Sequence, residues 1–332
     1  GSVEVYEEDS EVLLETFENV SVEDWYKIYL TALPENYTQD VFDLRVVGDV
    51  DFDYVVDPQA NDSSNNIWRC GTIDSSGVYQ LNQSFTTSGT CLNVTTSDVT
   101  IDGAGFYIGG DVTGTDYGIY ASDVSNITIR DFLNISQFTH NIQFNDVNSS
   151  LIENNTILAD ATETIYLIYL NSSNSNIIHN NVIVGNTTYT DSVNIVYNIY
   201  IDDESFGHVS NNNISNNIIQ GSTSGASWGV YGIQFSGGDF NLNNNIIEDN
   251  NITLNGSTSW LTAISFSGAS SGEVSNNVIR NNLIMETGSR AYGIFLGLLY
   301  GNALNNTIES NKFYGNGYGH CLGVSLSSGS NP

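Results

Sequence analysis

Positively charged side chains are scarce in this chain of 332 residues. Seven Lys and Arg residues stand against 38 Asp and Glu residues, which gives a formal net charge of -31. Such a surface repels phosphate backbones and anionic lipids, and it would accept a polyanionic sugar only through a bridging divalent cation. The charge balance therefore predicts that nucleic acid is not a partner.

Long apolar runs are absent as well. No segment approaches the roughly 18 uninterrupted apolar residues that a membrane helix needs. The first ten residues, GSVEVYEEDS, have neither the basic nor the apolar region of a secretion signal. We expect a chain without membrane insertion that is soluble as it stands.

Cysteine is rare, but two of the three cysteines bracket one coherent segment, CGTIDSSGVYQLNQSFTTSGTC, which begins at Cys70 and ends at Cys91. This placement predicts a disulfide that staples the first layer of a fold, and a disulfide places the protein outside the reducing cytosol. The alternative is a pair of unpaired, buried thiols. Cys321 has no obvious partner, which in an oxidising compartment indicates a bond to another chain or to sequence outside this one.

The sequence contains a strong internal repeat. Short segments with an aliphatic residue followed two positions later by an apolar residue recur along the chain, at intervals of 23, 26, 31, 34, 31, 30 and 30 residues. A fixed period of this size with local insertions is typical of a stacked repeat architecture. The repeat positions are Ile119, Ile142, Ile168, Ile199, Ile233, Ile264, Ile294 and Val324.

Asparagine pairs recur inside each period and precede an aliphatic residue by two positions. The pairs are Asn154-Asn155, Asn180-Asn181, Asn216-Asn217, Asn244-Asn245, Asn276-Asn277 and Asn305-Asn306, and the aliphatic residues are Ile157, Ile183, Ile219, Ile247, Ile279 and Ile308. A second polar turn follows five residues later, with Asn186, Asn250, Asn282 and Asn311. Each period thus reads as three short strands separated by tight turns.

Strands this short cannot bury a face alone, but stacked coils form parallel sheets around one shared core. Helical spacing is absent from the repeats, and an antiparallel sandwich, the alternative, would show hairpin turns and no coil-length period. We predict an all-β parallel β-helix of about eight to nine coils over residues 67–332. Asparagine at the turns tolerates a left-handed backbone, and stacked amides form a ladder that satisfies buried turn groups.

The repeats resemble those of the right-handed parallel β-helix superfamily. The segment VTIDGAGFYIGG, residues 99–110, is similar to the first-coil consensus of that group, and CGTIDSSGVYQLNQSF resembles a Cys-bearing segment of archaeal surface proteins. The resemblance covers about residues 70–330. It implies the fold, and it implies kinship with pectin-degrading enzymes, phage tailspikes and carbohydrate-binding or sugar-hydrolase-like surface proteins.

Residues 1–66 lack the period and are predicted to be an acidic N-terminal cap or docking region. A capping pair, Ser21 with Asp24, favours a helix over VEDWYKIYLTAL, residues 22–33, although WYKIYL is also a good strand. Flanking strands are predicted at residues 3–6 and 42–47.

The far end of the sequence, GVSLSSGSNP, matches only the first strand of a further coil. An open coil exposes unpaired backbone groups and apolar core, so we expect either continuation of the protein or head-to-tail docking onto a neighbour. Docking of that kind yields filaments.

The best candidate for chemistry is IYIDDESFGHVSNN, which contains Asp202, Asp203 and His208. Polysaccharide hydrolysis by two carboxylates needs them about 6.5 to 9.5 Å apart in an inverting enzyme, whereas neighbours on a strand face opposite sides. The segment loosely resembles the paired Asp and the His of polygalacturonases, but no substrate-clamping Arg-x-Lys is present. The alternative is an acidic turn on a solvated face.

Alternating acids in GDVDFDYVVDP suggest a Ca²⁺ site at Asp49, Asp51 and Asp53. A calcium loop has Gly at its sixth position and Glu at its twelfth, and here Tyr54 and Ala60 stand there. An exposed strand face is the alternative, and no other metal or cofactor is predicted.

Asn-x-Ser/Thr sequons are frequent, about fifteen in all, and N-glycosylation of several is expected if the chain is exported. The candidate sites are Asn36, Asn82, Asn93, Asn126, Asn134, Asn148, Asn171, Asn186, Asn213, Asn251 and Asn255.

Together these features predict a glycosylated structural or adhesive β-helix of the cell exterior that assembles head to tail into a filament or surface layer. The alternative is a carbohydrate-binding protein or a polysaccharide hydrolase or lyase.

Overall fold

A computed structural model describes the strands Ser2–Glu7, Leu13–Glu18 and Phe42–Val47 and residues 66–161, 163–187, 194–203, 208–224, 229–236, 241–267, 273–298, 302–315 and 324–328. These residues form strands and turns, and among them no helix could cross a membrane.

From residue 66 the chain winds into a parallel β-helix, because each short strand pairs in parallel with its counterpart one coil later. We number the faces of this coil. Face 1 carries the repeat isoleucines and contains Gly71–Ile73, Leu92–Val94, Tyr117–Ser122, His140–Asn145, Ile165–Asn171, Ile195–Asp202, Gly229–Ser236 and Val324–Ser328. Face 2 contains Asn66–Ile67, Gly77–Leu81, Val99–Asp102, Ile127–Arg130, Leu151–Glu153, Ile177–His179, Asn213–Ser215, Ile246–Glu248, Val278–Arg280 and Thr307–Glu309.

Face 3 contains Phe85–Thr86, Tyr107–Gly109, Asn134–Ser136, Thr156–Ala161, Val182–Thr187, Ile218–Thr223 and Lys312–Gly315. Two long strands, Asn251–Ser267 and Leu283–Leu298, run through face 3 and continue into face 1. Face 4 is a short sheet between faces 1 and 2 and contains His208–Ser210, Asn241–Asn243, Glu273–Ser275 and Asn302–Leu304. The predicted fold class is confirmed, but coils that include face 4 have four strands rather than the predicted three.

The repeat isoleucines stack in one unbroken column. Each predicted repeat position pairs with the next, from Ile119 with Ile142 through to Ile294 with Val324. The seven isoleucine side chains of this column are fully buried. Burial at roughly 25 cal/mol per Å² of apolar surface makes such columns the main stabilising element of the coil.

The asparagine pairs form two ladders, whereas the sequence repeat predicts that they occupy one equivalent turn in every coil. The first ladder turns the chain from face 2 to face 3 and contains Asn155, Asn181, Asn217, Asn250, Asn282 and Asn311. The second turns the chain onto face 2 and contains Asn176, Asn212, Asn245, Asn277 and Asn306. The turn predicted at Asn186 is wrong, because this residue lies in the strand Val182–Thr187.

The two roles predicted for asparagine are divided between the members of each pair. The first residue adopts the left-handed conformation, as at Asn276 and Asn281 with φ of 57° and 58°. The second is buried and bonds to the coils on both sides, as Asn277 and Asn282 do. The stretch SNNVIRNNLI, residues 275–284, thus contains two successive corners of one coil.

In the N-terminal region the strands Ser2–Glu7, Leu13–Glu18 and Phe42–Val47 form an antiparallel sheet with Ser2–Glu7 at its centre. The predicted strands at residues 3–6 and 42–47 are confirmed, and Leu13–Glu18 was not predicted. The predicted helix over residues 22–33 lies outside the described residues, and the division at residue 66 stays a prediction.

Candidate functional site

The outer surface of face 1 is set by a local break in strand alternation. In Tyr117–Ser122 the consecutive residues Gly118 and Ile119 are both buried, and Tyr117 and Tyr120 on either side of them point outward. His140–Asn145 repeats this pattern. Each coil therefore presents an outward side chain two residues before the repeat isoleucine and another one residue after it.

Aromatic side chains fill most of these outward positions over five coils. We call this set the aromatic strip, and it consists of Tyr117, Tyr120, His140, Tyr166, Tyr169, Tyr197, Tyr200 and Tyr231. Neighbouring ring centroids lie 4.6 to 6.0 Å apart, within the range of favourable aromatic pairs. The rings of Tyr166 and Tyr197 are within 9° of parallel. Tyr169 is buried beneath its neighbours, and the other seven side chains are partly exposed, so the strip is a continuous aromatic surface along the axis of the β-helix.

The strip carries no charge of its own at neutral pH. Burial raises the pKa of Tyr197 and of Tyr200 well above the ordinary value, and the charge of Asp202 adds to this. Burial lowers the pKa of His140 to about 4, so its imidazole is neutral. The rings are therefore uncharged, with hydroxyl and imidazole groups as their polar parts.

Polar side chains line the strip on the side where each face 1 strand ends. The Asn171 amide donates to Asn145 Oδ1 at 2.8 Å, and the Tyr200 hydroxyl donates to Asp202 Oδ2 at 3.0 Å. Gln234 follows Tyr200 in the same outward column, is 8% exposed, and donates to Ser267 Oγ at 3.2 Å. Within the described part of the chain its carbonyl oxygen, Oε1, accepts no hydrogen bond.

A second aromatic group, which we call the tryptophan cluster, lies further along face 1. It contains Trp260, Tyr292 and Phe295, with ring centroids 5.7 and 5.6 Å apart in successive pairs. The Arg290 guanidinium carbon lies 4.9 Å from the centroid of the Trp260 ring, a cation-π contact.

At the N-terminal end of the strip, Tyr117 and Tyr120 line a shallow depression together with Thr72 and Asn93.

The predicted catalytic candidates do not converge on one site. Asp202 points outward beside Tyr200, whereas Asp203 is buried at the corner, where its Oδ1 accepts from the Ser172 hydroxyl at 2.9 Å. His208 lies on face 4, exposed, with Nδ1 3.4 Å from the Asn241 amide nitrogen. Asp202 alone joins the strip, and an activity for these residues stays a prediction.

The predicted disulfide between Cys70 and Cys91 is present. Cys321 and the predicted calcium ligands Asp49, Asp51 and Asp53 lie outside the described residues. Among the described residues, no group of three or more His, Cys, Asp or Glu side chains is arranged to hold a metal ion.

The sequon asparagines differ in exposure. Asn171 is 9% exposed and its amide is engaged by Asn145, so the folded chain offers no amide for a glycan there. Asn36 lies outside the described residues. Asn82, Asn126 and Asn255 are exposed, and Asn93, Asn134, Asn148, Asn186, Asn213 and Asn251 are partly exposed. Glycosylation at these positions stays a prediction.

The aromatic strip was not identified from the sequence, although the signal was present. The repeat segments read YGIY, HNIQF, YLIYL, YNIYI and YGIQF, with an aromatic or amide side chain at both outward positions. The periodicity of buried residues identifies the inward positions and gives no information about these outward columns.

No protein-family model and no curated protein matches the chain. Among solved structures it is similar to the A-module of mannuronan C-5 epimerase AlgE6 from Azotobacter vinelandii, at 11% identity and a TM-score of 0.23 over 79% of this chain and 91% of that chain. Endopolygalacturonase I from Stereum purpureum is 14% identical, with a TM-score of 0.23 over 77% and 96%. PfbA, a surface adhesin of Streptococcus pneumoniae, is 12% identical, with a TM-score of 0.17 over 76% and 86%. Likeness at this level carries no inference about activity.

Proposed function

We propose that this protein is an extracellular adhesive β-helix that holds a polysaccharide along the aromatic strip. The observation that carries the proposal is the strip itself, eight contiguous aromatic side chains on the outside of a fold whose inside is already filled by aliphatic columns. Aromatic side chains that served only to stabilise the coil could have been placed in its interior. Partly exposed rings in a contiguous surface are typical of binding sites.

The chemistry of the strip suits a sugar chain. One side of a pyranose ring presents C–H groups that pack on an apolar aromatic surface, while its hydroxyls need donors and acceptors at the edge. Asn145 and Asp202, which are partly exposed, supply these at the edge of the strip. Five coils at about 4.8 Å per coil give a track of roughly 19 Å, long enough for several sugar units.

The location outside the cell is supported by the disulfide, since such bonds persist in oxidising compartments. Adhesion is favoured over hydrolysis because Asp202 stands on the strip while Asp203 is turned into the corner and His208 lies on another face. Head-to-tail assembly and N-glycans remain part of the proposal. Electron microscopy of native material and the intact mass against 36.1 kDa for the bare chain would test them.

Replacement of two strip tyrosines tests the binding role. In the variant Tyr166→Leu with Tyr197→Leu, apolar volume is retained but the flat rings are lost, and we expect at least a tenfold loss of binding. The measurement is co-sedimentation with a panel of insoluble polysaccharides. Thermal unfolding of the same samples separates loss of binding from loss of fold.

The matched control is Tyr107→Leu, which changes an exposed tyrosine on face 3. It should bind as the unaltered protein does. Equal binding by the double variant would contradict the role of the strip, and the absence of binding to every polysaccharide in the panel would contradict the proposed function.

A further inference from the structure

We infer that Tyr197 is the centre of an oxidative cross-linking site, at which a one-electron oxidant joins its ring to that of Tyr166 or Tyr231 through a carbon–carbon bond, as dityrosine. The site does not depend on the proposed binding function. It is carried by the stacking of these rings, by their register in successive coils and by their partial exposure on the outside of face 1.

The rings of Tyr166 and Tyr197 are stacked on one another. The two residues are register partners in the parallel strands Ile165–Asn171 and Ile195–Asp202, so both side chains leave the backbone at the same outward position of successive coils. Their ring centroids are 4.8 Å apart, and their planes differ by 9°. Because this distance is also about the spacing of neighbouring strands, equivalent atoms of the two rings lie side by side. The reactive ring carbons next to the two hydroxyls are therefore neighbours.

Tyr231 extends this column by one coil. It is the register partner of Tyr197, with ring centroids 5.3 Å apart and planes that differ by 15°. Among the described residues, these two pairs are the stacked tyrosines that come from successive coils, and Tyr197 belongs to both. Tyr120, on the same strip, has Asn93 and Gln143 as its register partners and therefore has no tyrosine in the same column of the next coil.

The column differs from stacked aromatics in the core. Phe235 and Phe266 are also register partners, with ring centroids 4.6 Å apart and planes that differ by 4°, but they are fully buried and have no hydroxyl to oxidise. Tyr166, Tyr197 and Tyr231 are partly exposed, so an oxidant reaches them from solvent. Partial exposure also permits the rotation about side-chain bonds that brings two ring carbons from stacking distance to bonding distance.

The reaction removes two hydrogen atoms from the pair of side chains. Each phenol loses one electron to the oxidant and its hydroxyl proton to water, which gives two neutral phenoxyl radicals. The radicals combine by forming a bond between one Cε carbon of each ring. Each bonded carbon then releases its proton and each oxygen takes one up, which restores two phenols. With a peroxidase as the oxidant, one hydrogen peroxide accepts the two electrons and two protons and becomes two water molecules.

Such a bond fastens two coils covalently on face 1, as the disulfide does at the start of the β-helix. Cys70 and Cys91 precede the register partners Gly71 and Leu92, so the disulfide also joins equivalent positions of successive coils. A covalent bond that closes a loop restricts the unfolded chain and thereby stabilises the folded one. Unlike a disulfide, dityrosine is not cleaved by thiols.

The test is oxidation of the full chain by a haem peroxidase and hydrogen peroxide at low protein concentration. We expect a monomer with the fluorescence of dityrosine and a mass lower by two hydrogen atoms, and a digest in which the main cross-linked peptide pair is joined at Tyr197. This monomer should unfold at a higher denaturant concentration than the untreated protein. Oxidation of the exposed Trp260 adds oxygen instead, so mass distinguishes the two products.

Two variants locate the reaction. Tyr197→Phe retains the stacked ring and nearly the same volume but lacks the hydroxyl from which the radical forms, so we expect a dityrosine yield about fivefold lower or less. Its thermal unfolding before oxidation should match that of the unaltered protein. The matched control is Tyr120→Phe, the same change at a strip tyrosine outside the column, and its yield should equal that of the unaltered protein.

Three results would overturn the cross-linking site. They are a lack of dityrosine in the oxidised unaltered protein, an equal yield in Tyr197→Phe, and cross-links that join only separate molecules. Polysaccharide binding enters none of these measurements, so failure of the cross-linking site and failure of the proposed function are distinguishable.

Discussion

Replacing Asn217 with alanine is expected to destabilise the β-helix by about 2 to 5 kcal/mol, because each buried polar group left without its partner costs about 1 to 3 kcal/mol. Asn217 is 1% exposed. Its Oδ1 accepts from the Asn181 backbone amide at 2.9 Å, and its Nδ2 donates to the Ile178 carbonyl at 2.9 Å. Alanine leaves both backbone groups buried and unpaired.

The site does not repair itself, because the neighbouring amides are already engaged. Asn250 Oδ1 accepts from both the backbone amide and the side chain of Asn217, and Asn181 donates to Asn217 Oδ1 from its own two nitrogens. Removal of one ladder member thus interrupts hydrogen bonding across three coils. The loss exceeds that expected for an exposed turn residue, which is usually within about 0.5 kcal/mol.

The matched control is Asn216→Gly, one residue earlier at the same corner. Asn216 is exposed and adopts φ of 56°, a conformation that glycine takes without strain. Chemical denaturation followed by circular dichroism compares the two variants, and amide exchange at Asn181 reports local opening, which matters because repeat proteins need not unfold in one step. Similar stability of the two variants would show that the ladder does not stabilise the coil.

The isoleucine column was predictable because every coil of a β-helix needs a buried aliphatic side chain at the same position. From Ile119 to Val324 the position is inward and paired above and below, so the sequence returns to an aliphatic residue each time. Insertions change the number of residues between successive repeat positions, but each coil still needs an aliphatic side chain there. The register of the stacked strands in such a fold can therefore be predicted from the pattern of core residues alone.

The corners were harder to predict because both use the same local pattern. In NNNISNN, residues 211–217, Asn212 and Asn217 are both ladder residues, yet they belong to different ladders. An asparagine pair followed by aliphatic residues satisfies either corner. The pairing between coils distinguishes them, and that information is not local.

Outward positions carry the least structural constraint, which is why the aromatic strip was missed. Nothing in the core requires Tyr166 or Tyr197, so a prediction built on burial has no place for them. The same logic passes over Glu286, which stands two residues after buried Ile284 in a strand whose alternation points it inward. A charged residue at an inward position contradicts the aliphatic pattern of the core, so it can be recognised only after the inward positions of this strand are known.

Protonation of Glu286 is expected to control the stability of the last coils. Its side chain is 1% exposed, and it lies in register between Leu254 of the preceding coil and Gly315 of the next. Neither carboxyl oxygen makes a hydrogen bond of regular geometry within the described residues. Burial raises its pKa from 4.5 to about 8, and the weak interaction with the Ala263 backbone, which lowers the pKa, is outweighed.

The sign of the effect follows from proton binding. Below about pH 4.5 the carboxyl is protonated in the folded and unfolded chain alike, so it adds no pH dependence. Between about pH 4.5 and 8 the unfolded chain loses the proton while the folded chain keeps it, so stability falls as pH rises, by up to about 1.4 kcal/mol per pH unit. Above that range the penalty is constant, on the order of 3 to 5 kcal/mol.

The variant Glu286→Gln removes this term, because an amide of similar shape does not ionise. It should match the unaltered protein near pH 5 and exceed its stability by about 3 to 5 kcal/mol near pH 9. Since the rest of this acidic chain also titrates, the informative quantity is the difference between the two denaturation midpoints across the pH series. Glu153→Gln, an outward change on face 2, should show no comparable widening of the difference. If the curves of Glu286→Gln and the unaltered protein stay parallel from pH 5 to 9, the Glu286 carboxyl is solvated and the inward placement is wrong.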